Sequence, residues 1–151
     1  VNMGQVSLVP GEISVSANSN NFLGLNINMG NPHAVVFVDD LDLVGDLRQA
    51  PTVTPADEYP EGVNTEFVKF LEGNKIQMRV HERGVGETQS CGTGTCAVAL
   101  AATIKKGKSL PIKWEINPPG GRLIVEIDGH SNATLTGPAE LVKEVELDKY
   151  L

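Results

Sequence analysis

Thr95-Cys96-Ala97-Val98-Ala99-Leu100-Ala101-Ala102-Thr103-Ile104-Lys105-Lys106, closed by Gly107, is the stretch on which the fold turns. Its alanines and leucine favour helix. Lys105, Lys106 and Gly107 supply basic residues and a glycine stop at the carboxyl end. The first three turns are apolar nearly all round, so no face is left for water, and a helix of that kind is buried. The rest of the chain must therefore wrap it.

Working outward, most of the sequence alternates at a period of two, the pattern of half-buried strands. Ile13, Val15 and Ala17 oppose Ser14 and Ser16, and Leu23, Leu25, Ile27 and Met29 oppose Gly24, Asn26 and Asn28. Ile76, Met78 and Val80 alternate with Gln77, Arg79 and His81, and Ile112, Trp114 and Ile116 with Lys113 and Glu115. Further strands are expected over Ala34 to Val38, Phe67 to Leu71, Arg122 to Ile127, Ala133 to Thr136 and Val142 to Leu147, with Gly, Pro and Asn clusters marking turns. A second short helix is expected around Leu43 to Gln49. The expected fold is α+β, an antiparallel curved sheet or barrel wrapped around one buried central helix.

Composition narrows the function. The 151 residues suit one domain able to bury a core without disulfides. Nineteen acidic against twelve basic residues give a net charge of −7, which argues against a surface that tracks nucleic-acid phosphates. No apolar run approaches the roughly 20 residues needed to span a bilayer, and the amino terminus lacks the pattern of a signal peptide. Two cysteines, Cys91 and Cys96, are too few for a disulfide framework and lack zinc-finger spacing. The chain starts with Val1 rather than Met, as if cut from something longer.

The chemistry gathers just before the helix, in Glu82-Arg-Gly-Val-Gly-Glu-Thr-Gln-Ser-Cys91-Gly-Thr-Gly-Thr95. A polar, glycine-containing loop delivers Cys91 to a helix start, where free N–H groups from Gly92 to Thr95 can converge on a carboxylate or phosphate. The local positive potential would favour a thiolate and lower the Cys91 pKa from about 8.5 toward neutrality. The plainer reading of Cys91 is a small buried hydrophobe; the Gly-Thr-Gly context favours a reactive group. Cys96 reads as packing, because five helical residues separate it from Cys91 by roughly 8–9 Å. That is too far for a disulfide. Gly92 to Ala97 also fits the dinucleotide fingerprint G-x-G-x-x-G/A, with Glu115 about 20 residues on. A polar loop intervenes before it, however, and repeated βαβ units are missing. Gly30-Asn31-Pro32-His33 reads as a turn, Asn64 by itself carries no signal, and Arg83 at a strand end could pair with a carboxylate of the surface or of a substrate.

Taken together, Gly30-Asn-Pro-His33, Val63-Asn64 and the run from Glu82 to Gly94 resemble the carboxyl-terminal half of the diaminopimelate epimerase family, and the likeness covers nearly the whole chain. Racemases of the proline type share Cys-Gly-Thr-Gly but typically precede it with Asp-Arg-Ser-Pro, which is absent here. The resemblance implies a cofactor-independent amino acid epimerase that inverts an α-carbon with two cysteines, one from each pseudo-symmetric half. Inversion needs a base on one face and an acid on the other. Cys91 matches the second thiol. Gly92 and Thr93 would hold the substrate α-carboxylate, and Asn31, Asn64 and Arg83 the distal amino acid end. Glu82 and His33 resemble polar neighbours that support the catalytic thiols, with Glu82 also in the substrate site.

The resemblance further implies that residues 1–151 form one domain of a two-domain enzyme whose amino-terminal domain lies outside this chain. It implies a cytoplasmic setting, no metal and no cofactor, diaminopimelate as the small-molecule partner, and a homodimer among the compatible assemblies. Ala34 stands where the family often has a non-catalytic cysteine, and Thr93 where serine is also common. Two alternatives stay open, a related amino acid racemase of the same fold and a non-catalytic carboxylate-binding module.

Overall fold

A computed structural model of the chain describes residues 1–137. The strand expected over Val142 to Leu147 lies outside the described residues. Among the described residues eleven strands form one sheet: β1 (Asn2–Gln5), β2 (Ser7–Ala17), β3 (Asn20–Asn28), β4 (Pro32–Phe37), β5 (Thr52–Thr54), β6 (Asn64–Phe70), β7 (Lys75–Glu82), β8 (Gly86–Thr88), β9 (Ile112–Asn117), β10 (Leu123–Ile127) and β11 (Asn132–Thr136). Their order is β1-β11-β10-β9-β7-β6-β4-β3-β2-β5, with β8 paired to β7. The single α-helix among the described residues, α1, runs from Gly92 to Lys105, starting one turn earlier than its apolar stretch implied. It stops in a Schellman arrangement around Gly107, whose φ is 64°: Lys108 N–H donates to the Thr103 carbonyl and Gly107 N–H to that of Ile104.

The expected sheet around one buried helix forms, but its pairing is mixed rather than antiparallel throughout. β4 pairs with β6 in parallel, and β7 with β9. Parallel neighbours need a long crossover, and the two crossovers lie on opposite faces. Between β7 and β9 the chain passes through α1. The helix packs with Ile27, Val35, Val68, Ile76, Met78, Val80, Trp114 and Val125 in the inner core, where Val98 and Ala97 are fully buried. Burying an aliphatic side chain such as Val98 contributes about 1.5–3 kcal/mol. Trp114 Nε1–H donates to Thr103 Oγ1 at 2.9 Å, so the largest side chain of that core leaves no orphan donor.

Between β4 and β6 the chain runs over the outer face, where Val38, Val44, Leu47, Val53 and Tyr59 cover Ile13, Val15, Ala34, Val36 and Phe67. The helix expected at Leu43 to Gln49 is instead a 3-10 turn at Leu41–Val44, capped by the Asp40 side chain, which accepts from Asp42 N–H. Besides its own 3-10 bonds, Leu43 N–H to the Asp40 carbonyl and Gly45 N–H to that of Asp42, this segment is held by strand side chains. Arg79 donates to the carbonyls of Leu41 and Gly45 at 2.9 and 2.7 Å and pairs with both carboxylate oxygens of Glu87. His81 Nδ1 lies 2.6 Å from the Leu47 carbonyl.

Inward parity on β3 departs from expectation at one end. Ile27 and Met29 are buried, whereas Leu23 is 69% exposed. Leu8, paired opposite Ile27, is also exposed, so the helix-side face of the β2–β3 ribbon carries uncovered apolar surface. Short β1, β5 and β8 were hidden from the sequence pattern because three or four residues give too little alternation to register. Among the described residues no helix is long and apolar enough to cross a membrane.

Candidate active site

Cys91 is the N-cap of α1, with extended dihedrals (φ −137°, ψ 117°). Its Sγ takes the place that a Ser or Asp oxygen usually fills and accepts from Gly94 N–H at 3.4 Å. The Cys91 carbonyl accepts from Thr95 N–H and from the Thr95 hydroxyl. The N–H groups of Gly92 and Thr93 find no acceptor among the described residues, as expected for a first turn that faces a ligand. Cys91 is half-buried and Cys96 fully buried, both as free thiols. Cys96 belongs to the inner core, and burial pushes its thiol up to about 12.

The expected depression of the Cys91 thiol is not what this environment produces. Burial pushes it above the ordinary thiol range, and the carboxyl groups of Glu66 and Glu82 add to the rise. The Thr93 hydroxyl and the Gly94 N–H pull the other way without overcoming burial. In these surroundings the thiol is the resting form.

Strand pairing assembles the neighbours. The parallel register of β4 and β6 sets His33 opposite Asn64 and Val35 opposite Glu66, which brings His33 and Glu66 together on the helix side. His33 Nδ1 is 3.0 Å from both Glu66 oxygens, and neither residue has any exposed surface. His33 Nε2 lies 3.1 Å from Asn31 Oδ1. Asn31 Nδ2 donates to Thr93 Oγ1 at 3.3 Å, and Thr93 Oγ1 is 3.6 Å from Cys91 Sγ. Glu66 also approaches the helix start directly, since a Cβ built on Gly94 would lie 3.2 Å from Glu66 Oε2 and 3.3 Å from Cys91 Sγ. A methyl group there would oblige Glu66 or Cys91 to give way by a few tenths of an ångström.

Glu66 escaped the sequence reading, which began its strand at Phe67. The signal was its parity: Glu66 shares its face with Val68 and Phe70, so a carboxylate had to enter the core. Burial holds the Glu66 carboxyl above its usual range, with Glu82 adding to the rise and His33 opposing it.

The remaining residues flank this cluster. Asn64 is buried and ties two segments together, its Nδ2 donating to the Pro32 carbonyl and its Oδ1 accepting from Arg83 N–H. Glu82 closes β7 on the helix side and accepts from Thr88 Oγ1 at 3.0 Å. Arg83 follows at a tight β7–β8 turn, where Gly84 (φ 76°) supplies the left-handed conformation. Its guanidinium has no hydrogen bond or ion pair with the described residues, and it lines a cavity of about 290 Å³ with Tyr59, Gly62, Val63 and His81. The polar loop expected here is thus partly a hairpin. Among the described residues no group of three His, Cys, Asp or Glu side chains converges as metal ligands would.

Residues 25–142 match the family model described as diaminopimelate epimerase. The chain belongs to the diaminopimelate epimerase family. A relative of that name from Streptomyces coelicolor is 45% identical over 98% of this chain and 53% of its own length. Another, from Neisseria meningitidis, is 42% identical over 80% of this chain and 43% of its own length. The chain therefore spans about half the length of the curated relatives it matches. Among solved structures, a hydroxyproline epimerase from Agrobacterium vitis aligns with a TM-score of 0.61 at 15% identity, over 90% of this chain and 48% of that one. A probable proline racemase from Agrobacterium radiobacter gives 0.60 at 17%, over 88% and 48%. These likenesses show that the diaminopimelate epimerase family member and the two racemase-type proteins share a fold.

Proposed function

We propose that this chain is the carboxyl-terminal half of a diaminopimelate epimerase and supplies one of the two thiols that invert the substrate α-carbon. The observation that carries this reading is Cys91 as an N-cap, its Sγ beside the N–H groups of Gly92 and Thr93, which have no acceptor among the described residues. Proton transfer and a carboxylate clamp fall at one place. A carboxylate held by those N–H groups would put the α-carbon near Sγ, and the clamp would stabilise charge that spreads onto the carboxyl oxygens as the carbanion forms. As a resting thiol, Cys91 donates its proton to the planar α-carbon in one direction. In the other, its thiolate removes that proton. The second thiol, on the opposite face, belongs to the amino-terminal domain.

Arg83, whose guanidinium has no partner among the described residues, suits the distal carboxylate. Asn31 has its amide between His33 and Thr93, and Asn64 orients both the Pro32 and Arg83 backbones, so these asparagines shape the distal pocket as well as lining it. Glu82 and His33 support the thiols electrostatically and through hydrogen bonds. An Arg83 without a partner among the described residues also favours a substrate with two charged ends over the one-ended amino acid of a proline-type racemase. The reaction needs no cofactor and belongs to lysine biosynthesis, in the cytoplasm.

The test is epimerisation of LL-diaminopimelate. The 151-residue chain alone is expected to be inactive. Fused to the amino-terminal half of the Streptomyces coelicolor relative, it is expected to turn over, and Cys91→Ala should lower that rate by about 10²–10⁴-fold. Turnover by the chain alone, or full activity of the Cys91→Ala fusion, overturns the reading.

A further inference from the structure

Glu66 is the one fully buried carboxyl among the described residues, and the reaction outlined above gives it no part. Its only hydrogen-bond partner among the described residues is His33. From there, contacts run without a break through Asn31 and Thr93 to Cys91. We propose that Glu66 is a positioning residue that fixes His33 so that a chain of donors, the His33 Nε2–H, the Asn31 amide and the Thr93 hydroxyl, is aligned on Cys91 Sγ.

The polarity follows from counting hydrogens. Asn31 presents Oδ1 to His33 and Nδ2 to Thr93, so His33 Nε2 must carry a hydrogen. The contact between His33 Nδ1 and Glu66 needs one more. The pair then holds two protons and no net charge, whether as imidazolium with carboxylate or as imidazole with carboxylic acid. A neutral pair suits two groups that are wholly out of water. Thr93 Oγ1, having accepted from Asn31, turns its own hydrogen toward Sγ and stabilises the thiolate.

Were the pair to hold one proton instead, on Nδ1, the Asn31 amide would have to turn over. Thr93 would then donate to Asn31 and could only accept from the thiol. Glu66 thus acts on Cys91 through His33, and the charges facing Cys91 are Glu66 on β6 and Glu82 on β7, with His33 on β4 reached through Asn31. The inference rests on Cys91 being the working thiol, as proposed above.

The experiment reads alkylation of Cys91 by iodoacetamide at pH 9 in the intact chain, where Cys96 is fully buried. Glu66→Met removes the anchor, and Thr93→Val removes the last donor at nearly constant shape. Each is expected to slow alkylation about three- to tenfold, the effect of one lost hydrogen bond on the thiolate fraction. The double variant is expected to be no slower than Thr93→Val, because both act through one chain. Glu66→Gln, which still bonds Nδ1, should restore the wild-type rate. Glu66→Asp keeps the charge but withdraws it by one methylene, and it should show the same coupling to Thr93→Val if the Met variant fails to fold.

Additive effects, an unchanged rate, or faster alkylation in Glu66→Met or Glu66→Asp overturn the proposal. Faster alkylation would mean that Glu66 acts as a bare negative charge. A wild-type Cys91 that resists alkylation even at pH 9 would sink the catalytic reading itself, a result separable from failure of the chain.

Discussion

His33 and His81 are both buried in the sheet, on opposite faces, and they spend their ring nitrogens differently. On the outer face His81 bonds the Leu47 carbonyl, and its neighbour Arg79 bonds the carbonyls of Leu41 and Gly45. His81 ends on backbone, and Arg79 on backbone and the Glu87 carboxylate, so together they pin to the sheet a crossover whose own hydrogen bonds are short-range turns. On the inner face His33 bonds Glu66 and Asn31, side chain to side chain, and the series ends on a thiol. A buried polar group whose partners are backbone carbonyls staples the fold. One whose partners are further side chains passes its hydrogen-bond polarity along to a reactive atom.

Arg79→Met should give the largest stability change. It strands Glu87 and two carbonyls in a partly buried place, and is expected to lower stability by about 2–4 kcal/mol, read from the urea midpoint. The folded fraction should alkylate at Cys91 within twofold of wild type. A large change in that rate would show that the two faces are not independent.

Gly94→Ala probes the other side. The new methyl would crowd Glu66 Oε2 and Cys91 Sγ, at an expected cost of about 1–3 kcal/mol. Unlike Arg79→Met, it should also alter Cys91 alkylation, because it separates the thiol from its Gly94 N–H. Normal thiol reactivity in a destabilised Gly94→Ala chain would break the distinction between the faces.

The smallest effect is expected at Tyr59 on the outer face. Its buried hydroxyl has no hydrogen-bond partner among the described residues, and burial raises the phenol to about 12. Tyr59→Phe should therefore be neutral or stabilising by up to about 1 kcal/mol. Because the folded pKa lies above the unfolded value near 10, the stability that the protonated phenol contributes is complete below pH 10 and lost as pH rises through about 12. The Phe variant should lack that alkaline decline. Urea midpoints at pH 8 and pH 11 measure both effects.

Local pattern made much of this legible. The apolar stretch from Thr95 announced a helix with no solvent face, the alternating runs announced strands, and Cys91 before Gly-Thr-Gly announced a thiol at a helix start. Each depends on neighbours within one or two turns of chain. The 3-10 turn at Leu41–Val44 was misread because its support comes from Arg79, nearly forty residues away. Leu23 alternates correctly yet is exposed, because alternation tells which face a side chain takes and not whether anything covers that face.

By itself, then, the sequence determined the buried helix, the predominance of strands and the placement of Cys91 as a helix cap, since periodicity, capping and turn chemistry are written into adjacent residues. Tertiary structure alone decided the two parallel junctions, because strand partners joined by long crossovers leave no local trace. It also decided that Glu66 meets His33, a matter of register between β4 and β6. The protonation of Cys91 was settled in the same way. The helix start favours thiolate, but desolvation and two carboxyl groups brought from other strands outweigh it, and their sum exists only once the chain has folded.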